Sequence, residues 1–419
     1  MFQERRYHNL NFSINNEERK PLKLVSTLSD IEYPFEKIKE FTENGESLEV
    51  SIPDIKNAKI HSGENLWQRF LDFLPFNRMN PDLHLGEGNT SLVRADQRLQ
   101  NFTGISGLYL KNETQNPTWS FKDRGSLACV YMAREMKEQI TATISSGNMG
   151  NSIAAYGAKA GIQVIVFIPE FVPKEKIFSM FIHGAKVIRV KADDYSIMKK
   201  HILGFAGKLK LRIVSGNGPI RIEGYKLTAF EMFEQMKKQV PDYIAVPTSA
   251  CGHIRGIFKG YRELKKAGLI DRLPRMIIVQ AKNNSPIVSA IQQGKDNVIP
   301  FSNFHTIAEA ITTGNPMGGK ELIHKAYKYH WLSESVTEEE ILQSQRKFGE
   351  SGYFVEPASA TSLCAVKKLF NAGKIEKDAM VVLMLTGTGL KDLDVFQQYR
   401  VDVLESDIEN IEKDVKSML

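Results

Sequence analysis

Lys122 stands between Phe121 and the pair Asp123-Arg124, in the run Asn116-Pro117-Thr118-Trp119-Ser120-Phe121-Lys122-Asp123-Arg124-Gly125. A lysine amine that is partly desolvated beside other cations loses its proton readily and can attack a carbonyl to form a Schiff base. Arg124, two residues on, is the cation the local sequence offers. Turn formers precede Lys122 and Gly125-Ser126-Leu127-Ala128 follows it, which puts the amine at a loop-to-helix junction. A surface lysine at a helix start is the plain alternative.

Three later segments point the same way. Ser145-Ser146-Gly147-Asn148-Met149-Gly150-Asn151-Ser152 is a small-residue loop entering a helix pattern, Ile153 to Ala158, and backbone amides at such an entry favour an anion, with a substrate carboxylate the natural candidate. Tyr243-Ile244-Ala245-Val246-Pro247 reads as a buried strand, followed by the turn Thr248-Ser249-Ala250-Cys251-Gly252-His253 and a helix from Ile254, a geometry that cradles phosphate. Met380 to Leu385 reads as a strand ending in Thr386-Gly387-Thr388-Gly389-Leu390-Lys391-Asp392, which sets a hydroxyl at a strand's carboxyl end, where open α/β sheets bind ligands. Each loop alone also reads as an ordinary β-to-α connection.

Taken in order, Gly86-Glu87-Gly88-Asn89-Thr90-Ser91-Leu92, Asn116 to Gly125, Ser145 to Ser152, Arg221-Ile222-Glu223-Gly224, the loop after Pro247, Gly314-Asn315-Pro316, Glu356-Pro357-Ala358-Ser359-Ala360 and Leu385 to Asp392 resemble the threonine synthase family, over roughly residues 80 to 396. The resemblance implies an α/β, two-domain pyridoxal-phosphate fold of type II, similar to the tryptophan synthase β chain, with parallel twisted sheets and flanking helices. It implies pyridoxal 5'-phosphate as cofactor, Lys122 as the Schiff-base lysine with Phe121 beside it, and Ser249, Ala250, Cys251, Gly252 and His253 at the cofactor phosphate. Asn148 falls at the cofactor ring, Thr386 at the pyridine nitrogen, and Ser145, Ser146, Gly147, Asn148 and Met149 around the substrate carboxylate. Arg221, whose planar fork matches phosphate oxygens, is the candidate for a phosphate leaving group, with a salt bridge to Glu223 as its alternative. Lys226, Asn315 and Lys320 are further candidates for an anionic substrate. The implied division is an accessory segment at 1–80, a large cofactor-binding domain from 81–126 and 214–400, a small mobile domain at 127–213, and a tail at 401–419.

Several positions depart from the family pattern. The usual Gly-Asn-x-Gly-Asn cradle is here Ser249-Ala250-Cys251-Gly252-His253, which leaves the backbone as the phosphate donor. The Ser-Thr-Gly-Asn-Thr carboxylate loop has become Ser145-Ser146-Gly147-Asn148-Met149, close to the loop of cysteine-synthase-type enzymes. The polar cluster before Arg221 is thinned to Ser215-Gly216-Asn217-Gly218-Pro219, and Trp119 replaces a glycine, where it is expected to crowd one wall of the cleft.

Composition fits an enzyme of this kind: 419 residues suit two or more domains, and 42% hydrophobic with 25% charged is an ordinary globular balance. A net charge of +6 without a long basic run argues against nucleic-acid binding. The three cysteines, Cys129, Cys251 and Cys364, lie far apart, which argues against a metal site and for a reducing compartment. No apolar run approaches the roughly 18 residues a membrane helix needs, and the opening residues carry no apolar signal core, so a cytoplasmic address is expected. A homodimer is carried as an expectation. The tail from Glu405 to Leu419 reads as an acidic amphipathic surface helix.

The implied reaction is elimination of phosphate from O-phosphohomoserine and addition of water to give threonine, with Lys122 moving the proton at the α-carbon. The altered loops leave open a β-replacement on a phosphoserine- or acylserine-like substrate, as in cysteate synthase, and a fold type II binding protein without turnover.

Overall fold

A computed structural model of the chain describes residues 21–418 except 36–37, 78, 146, 171, 192–194, 303 and 399–402. Ser146, expected in the carboxylate loop, therefore lies outside the described residues.

The first elements among the described residues form a small antiparallel sheet, β1 (Lys23–Ser26), β2 (Glu32–Pro34) and β3 (Leu48–Ser51), with β1 in the middle. β4 (Leu92–Arg94) and β5 (Gly107–Asn112) open the main sheet, and β6 (Ile140–Ile144), β7 (Gln163–Pro169) and β8 (Lys186–Val190) form a parallel sheet of their own. β9 (Tyr243–Pro247), β10 (Arg275–Ala281), β11 (Leu332–Val336) and β12 (Met380–Leu385) complete the main sheet in the order β11-β10-β9-β12-β5-β4. Only β4 in it runs antiparallel. The strands expected at 243–247 and 380–385 both form.

Parallel strands need crossovers, and helices covering both faces turn such strands into continuous apolar runs. That is the pattern here. Ile244, Val246, Met276, Ile278, Val382 and Met384 pack into one core. Their immediate neighbours Tyr243, Ala245, Ile277, Val279, Val381 and Leu383 pack into another. The period of two thus splits each strand between two hydrophobic layers. Burying each larger aliphatic side chain contributes about 1.5–3 kcal/mol, so the centre of this sheet is the rigid part of the molecule.

The strand order decides where the loops meet. β9, β12 and β5 are neighbours, and Leu385 pairs in register with Asn112. The turn before Lys122, the turn after Pro247 and the turn at Thr386 therefore leave the same edge of the sheet at adjacent carboxyl ends. β6 ends at Ile144 and feeds the loop that starts the helix Asn148–Ala160, five residues earlier than its apolar pattern suggests. The long helix Lys122–Glu135 packs against that helix and against Pro219–Tyr225. Its approach to the latter is close: a Cβ on Gly224 would lie 2.0 Å from the Arg124 carbonyl oxygen, so only glycine fits.

The opening segment is more than an accessory. β3 packs on the helix Pro219–Tyr225, and Trp67, Phe70 and Phe73 are buried in the first core. Phe70 stacks on Phe230 at 4.6 Å between ring centroids. The tail forms the helix Ile411–Met418, none of whose residues is buried. Among the described residues, no helix is long and apolar enough to cross a membrane and no cluster of side chains could hold a metal ion.

Candidate active site

Lys122 is the first residue of its helix, and the turn before it is fixed by its neighbour. The buried Asp123 carboxylate accepts from the Thr118 amide at 2.6 Å, the Thr118 hydroxyl at 2.5 Å and the Ser152 hydroxyl at 2.6 Å. The Phe121 amide donates to the Thr386 carbonyl at 3.1 Å, and Ser120 bridges Gly387, which fastens the turn to the end of β12. Trp119 adopts φ 63°, a left-handed conformation that explains why a glycine suits the position. Its side chain is 53% exposed, so it lies at the rim and does not fill the interior as the crowding expectation would have it.

The Lys122 amine sits 4.2 Å from the centroid of the Phe121 ring. Burial, aided by the nearby Arg221 and Lys391 cations and opposed by Glu356, lowers its pKa to about 7. Arg124 is not the cause. It projects about 200° around the helix from Lys122 and is consumed elsewhere, donating to Glu113 at 2.7 Å, Glu231 at 2.9 Å and Thr90 at 3.0 Å.

Arg221 is fully buried, and its surroundings differ from every reading in which it is structural. One nitrogen, Nη1, donates to the Ser126 hydroxyl at 3.1 Å, the Tyr225 hydroxyl lies beside the guanidinium, and Nε and Nη2 make no hydrogen bond of good geometry. The alternative salt bridge to Glu223 does not form, because Glu223 is taken by Lys226 and Lys259. Lys226 is thereby removed from the list of substrate ligands: it is fully buried and donates to the Phe73 carbonyl at 2.5 Å as well as pairing with Glu223 and Glu263. Five residues along the chain put it on another side of the helical path from Arg221.

The turn expected to cradle phosphate offers backbone donors. Cys251 takes φ 77° and starts the helix Gly252–Lys266, and among the described residues the amides of residues 249 to 254 donate to no protein acceptor. Gly252 lies so close to the 215–219 loop that a Cβ would sit 2.0 Å from the Gly216 carbonyl oxygen. The Ser249 hydroxyl bonds that of Thr313 at 2.7 Å. Cys251 is buried and its thiol pKa is pushed well up by burial, so it is a small filler in the turn and no nucleophile. His253 stacks face to face on Phe121, 3.7 Å between centroids, with neither ring nitrogen bonded. Burial lowers its pKa to about 3, which keeps the ring neutral.

Asn148 and Thr386 meet through a carboxylate that the motif reading had not singled out. Glu356 accepts from the Asn148 amide at 2.9 Å and from the Thr386 hydroxyl at 2.7 Å, and the Asn148 carbonyl oxygen accepts from Lys391 at 2.8 Å. Ser359 adds a second hydroxyl, 2.8 Å from that of Thr386. Burial and then Asp392 raise the pKa of Glu356. Ser145 anchors the loop on β7 through its amide, 3.2 Å from the Phe167 carbonyl, and its hydroxyl accepts from the Gly147 amide at 3.4 Å. The Met149 sulfur and the Ala250 Cβ each lie 3.7 Å from the point where a Gly216 Cβ would be, so both loops flank Gly216. Lys122 and Phe121, Thr386, and the loops at Ser145 to Met149 and Ser249 to His253 thus leave the carboxyl ends of the parallel strands, with Arg221 on a helix packed against that of Lys122 and Lys226 turned away.

Residues 83–387 match the family model of the pyridoxal-phosphate-dependent enzymes. The threonine synthase of Methanocaldococcus jannaschii is 38% identical over 88% of this chain and 87% of its own length. The chain belongs to the threonine synthase family. The threonine synthases of Methanosarcina acetivorans, 38% identical over 81% of this chain and 82% of that protein, and of Bacillus sp. (strain ULM1), 34% identical over 85% and 99%, agree. Among solved structures, the processed form of threonine deaminase isoform 2 from Solanum lycopersicum (TM-score 0.62, 18% identity, 85% of this chain and 94% of that one) and maize serine racemase (TM-score 0.62, 18% identity, 79% and 92%) share the fold. A threonine synthase takes pyridoxal 5'-phosphate, and the site suits it: unpaired amides for a phosphate, a neutral hydroxyl pair at a strand end, and an amine that is half deprotonated near neutral pH.

Glu356, Ser359 and Lys391 lie inside the motifs shared with the family, and nothing in the local sequence marks them out. Their partners are more than two hundred residues away for Asn148, so only the fold reveals them. Ser126 and Ser152 carried no signal of their own. Together they link Arg221 to Asp123 through a 2.7 Å contact between the two hydroxyls.

Proposed function

We propose that this chain releases phosphate from O-phosphohomoserine and adds water to give threonine, with Lys122 as the lysine that holds the cofactor. The observation that carries the substrate is Arg221, a buried guanidinium in no ion pair with a carboxylate, whose Nε and Nη2 make no hydrogen bond of good geometry and have the Tyr225 hydroxyl as their neighbour. Leaving buried donors unmet costs about 1–3 kcal/mol each, and a phosphate arriving with the substrate supplies the missing acceptors and charge together. Bound pyridoxal phosphate supplies the electron sink for negative charge at the substrate's α-carbon.

The chain's own residues do the rest. Released when the substrate amine takes its place, Lys122 takes the α-proton, and a pKa of about 7 leaves much of it as free base at neutral pH. Amides at the start of the helix Asn148–Ala160 hold the substrate carboxylate, and those of Ser249 to His253 hold the cofactor phosphate. The Thr386 hydroxyl donates to Glu356 and shares a hydrogen bond with Ser359; turning its proton from Glu356 to the pyridine nitrogen would place no full positive charge there. The same reading treats residues 127–213 as the mobile unit, the assembly as a homodimer and the compartment as the cytoplasm.

Phosphate release tests this directly. O-phosphohomoserine and O-phosphoserine are compared, with and without sulfite. Threonine and phosphate from the four-carbon substrate alone are expected, and release from the three-carbon substrate alone would overturn the reading.

A further inference from the structure

The cradle lacks both asparagines of the family pattern, and another asparagine stands beside it. Asn217 is 4% exposed, and its amide nitrogen Nδ2 has no partner. The orientation of its amide is fixed, because Arg255 can only donate: Nη1 gives hydrogen bonds to Asn217 Oδ1 at 2.6 Å and to the Asn217 carbonyl at 3.0 Å. Arg255 is itself held by an ion pair to Glu321 at 2.6 Å and a hydrogen bond to the Leu48 carbonyl at 3.2 Å. The Oδ1 end is therefore pinned and the Nδ2 end is a donor without an acceptor.

That donor sits against the turn that opens the fifteen-residue helix Gly252–Lys266. Asn217 Nδ2 and the Cys251 Cβ each lie 3.0 Å from the point a Gly318 Cβ would occupy. The Asn217 Cα is 3.4 Å from the corresponding point on Gly252. A buried side-chain amide with a free N–H thus lies beside the turn whose backbone amides are unpaired, at a helix start where the dipole favours negative charge.

We propose that Asn217 Nδ2 is a side-chain donor to the cofactor phosphate, a role moved here from the cradle to the neighbouring loop. Arg255 acts through it as a positioning residue that ties the phosphate site to β3. The inference rests on the reading that the phosphate occupies the turn Ser249 to His253.

The test compares binding of pyridoxal phosphate with binding of pyridoxal, which lacks the phosphate, to apoenzyme of the wild type and of Asn217→Asp. Aspartate keeps the shape and the contact with Arg255 while removing the N–H. A hydrogen bond to a charged group predicts roughly a ten- to hundredfold loss of pyridoxal phosphate affinity, no change for pyridoxal, and a shifted ³¹P resonance of the bound phosphate. Equal losses for both ligands, or no loss for either, would overturn the role of Asn217. Should wild type itself bind the two ligands equally, the underlying cradle reading fails as well. If the aspartate variant does not fold, Asn217→Ala and Asn217→Ser decide by the same ratio.

Discussion

Lys122 and Arg124 are two residues apart on one helix, and the structure treats them in opposite ways. Arg124 lies between Glu113 and Glu231; burial works against its charge, but the two carboxylates win and raise its pKa further. Lys111 completes the cluster, and Glu231 is held well below the usual carboxylate range. Lys122 faces Arg221 and Lys391 in a buried site with one opposing carboxylate, and its pKa falls to about 7. A buried cation whose partners are all protein groups is part of the architecture. A buried cation left without them is held ready for a ligand or a reaction.

The contrast predicts that substitutions in the two places fail differently. Lys122→Ala should lower threonine formation by about ten-thousandfold or more, the upper end for a lost general base, while the apoenzyme melts no lower than wild type because a half-buried amine without a carboxylate partner has been removed. An unchanged turnover would end the mechanism, as would borohydride reduction and peptide mapping that found Lys122 unlabelled. Arg124→Met should do the converse through Glu113 and Glu231, which would share only Lys111; breaking such a buried network costs about 3–5 kcal/mol, read as a shifted denaturation midpoint.

Arg221→Lys, which keeps charge but not the fork, should reduce kcat/KM for O-phosphohomoserine by roughly a hundredfold, in line with about 1.5–3 kcal/mol for hydrogen bonds to a charged group. Its thermal stability should stay near that of wild type, since no protein carboxylate depends on it. Loss of stability equal to that of the Arg124 variant would erase the comparison.

The protonation contrast is accessible without turnover. Capture of pyridoxal phosphate by apoenzyme should slow as pH falls through about 7, where an ordinary lysine would show its inflection near 10.5. Between those values the unfolded chain binds the proton that the folded site refuses, so this group makes apoenzyme stability rise with pH across that window. Lys122→Met should flatten the rise. The smallest effect concerns the rim: Trp119→Gly relieves the left-handed strain at a half-exposed side chain and should stabilise by about 0.5–1 kcal/mol, measured by chemical denaturation.

Much of this was legible in the sequence because the signals are local. Buried runs such as Tyr243 to Pro247 became central strands, and Lys122 sits at the loop-to-helix junction its neighbours suggested. What failed was assigning electrostatic partners by proximity along the chain. Arg124 next to Lys122, Glu223 next to Arg221 and Lys226 nearby all looked like members of the site, yet each points to a different wall once the backbone coils into helices. Glu356 escaped notice because its value comes from joining Asn148 and Thr386 across the fold. The opening segment was hard to read because its strands are only three or four residues long, too short for a periodic pattern.

The aromatic contact between Phe70 and Phe230, together with the grip of Arg255 on the Leu48 carbonyl, has a practical consequence. A protein trimmed to the span shared with the wider enzyme family would be cut through its own interior, leaving a bare greasy face and a guanidinium missing one of its holds. Shortened versions made for expression should keep the chain from at least the first strand onward.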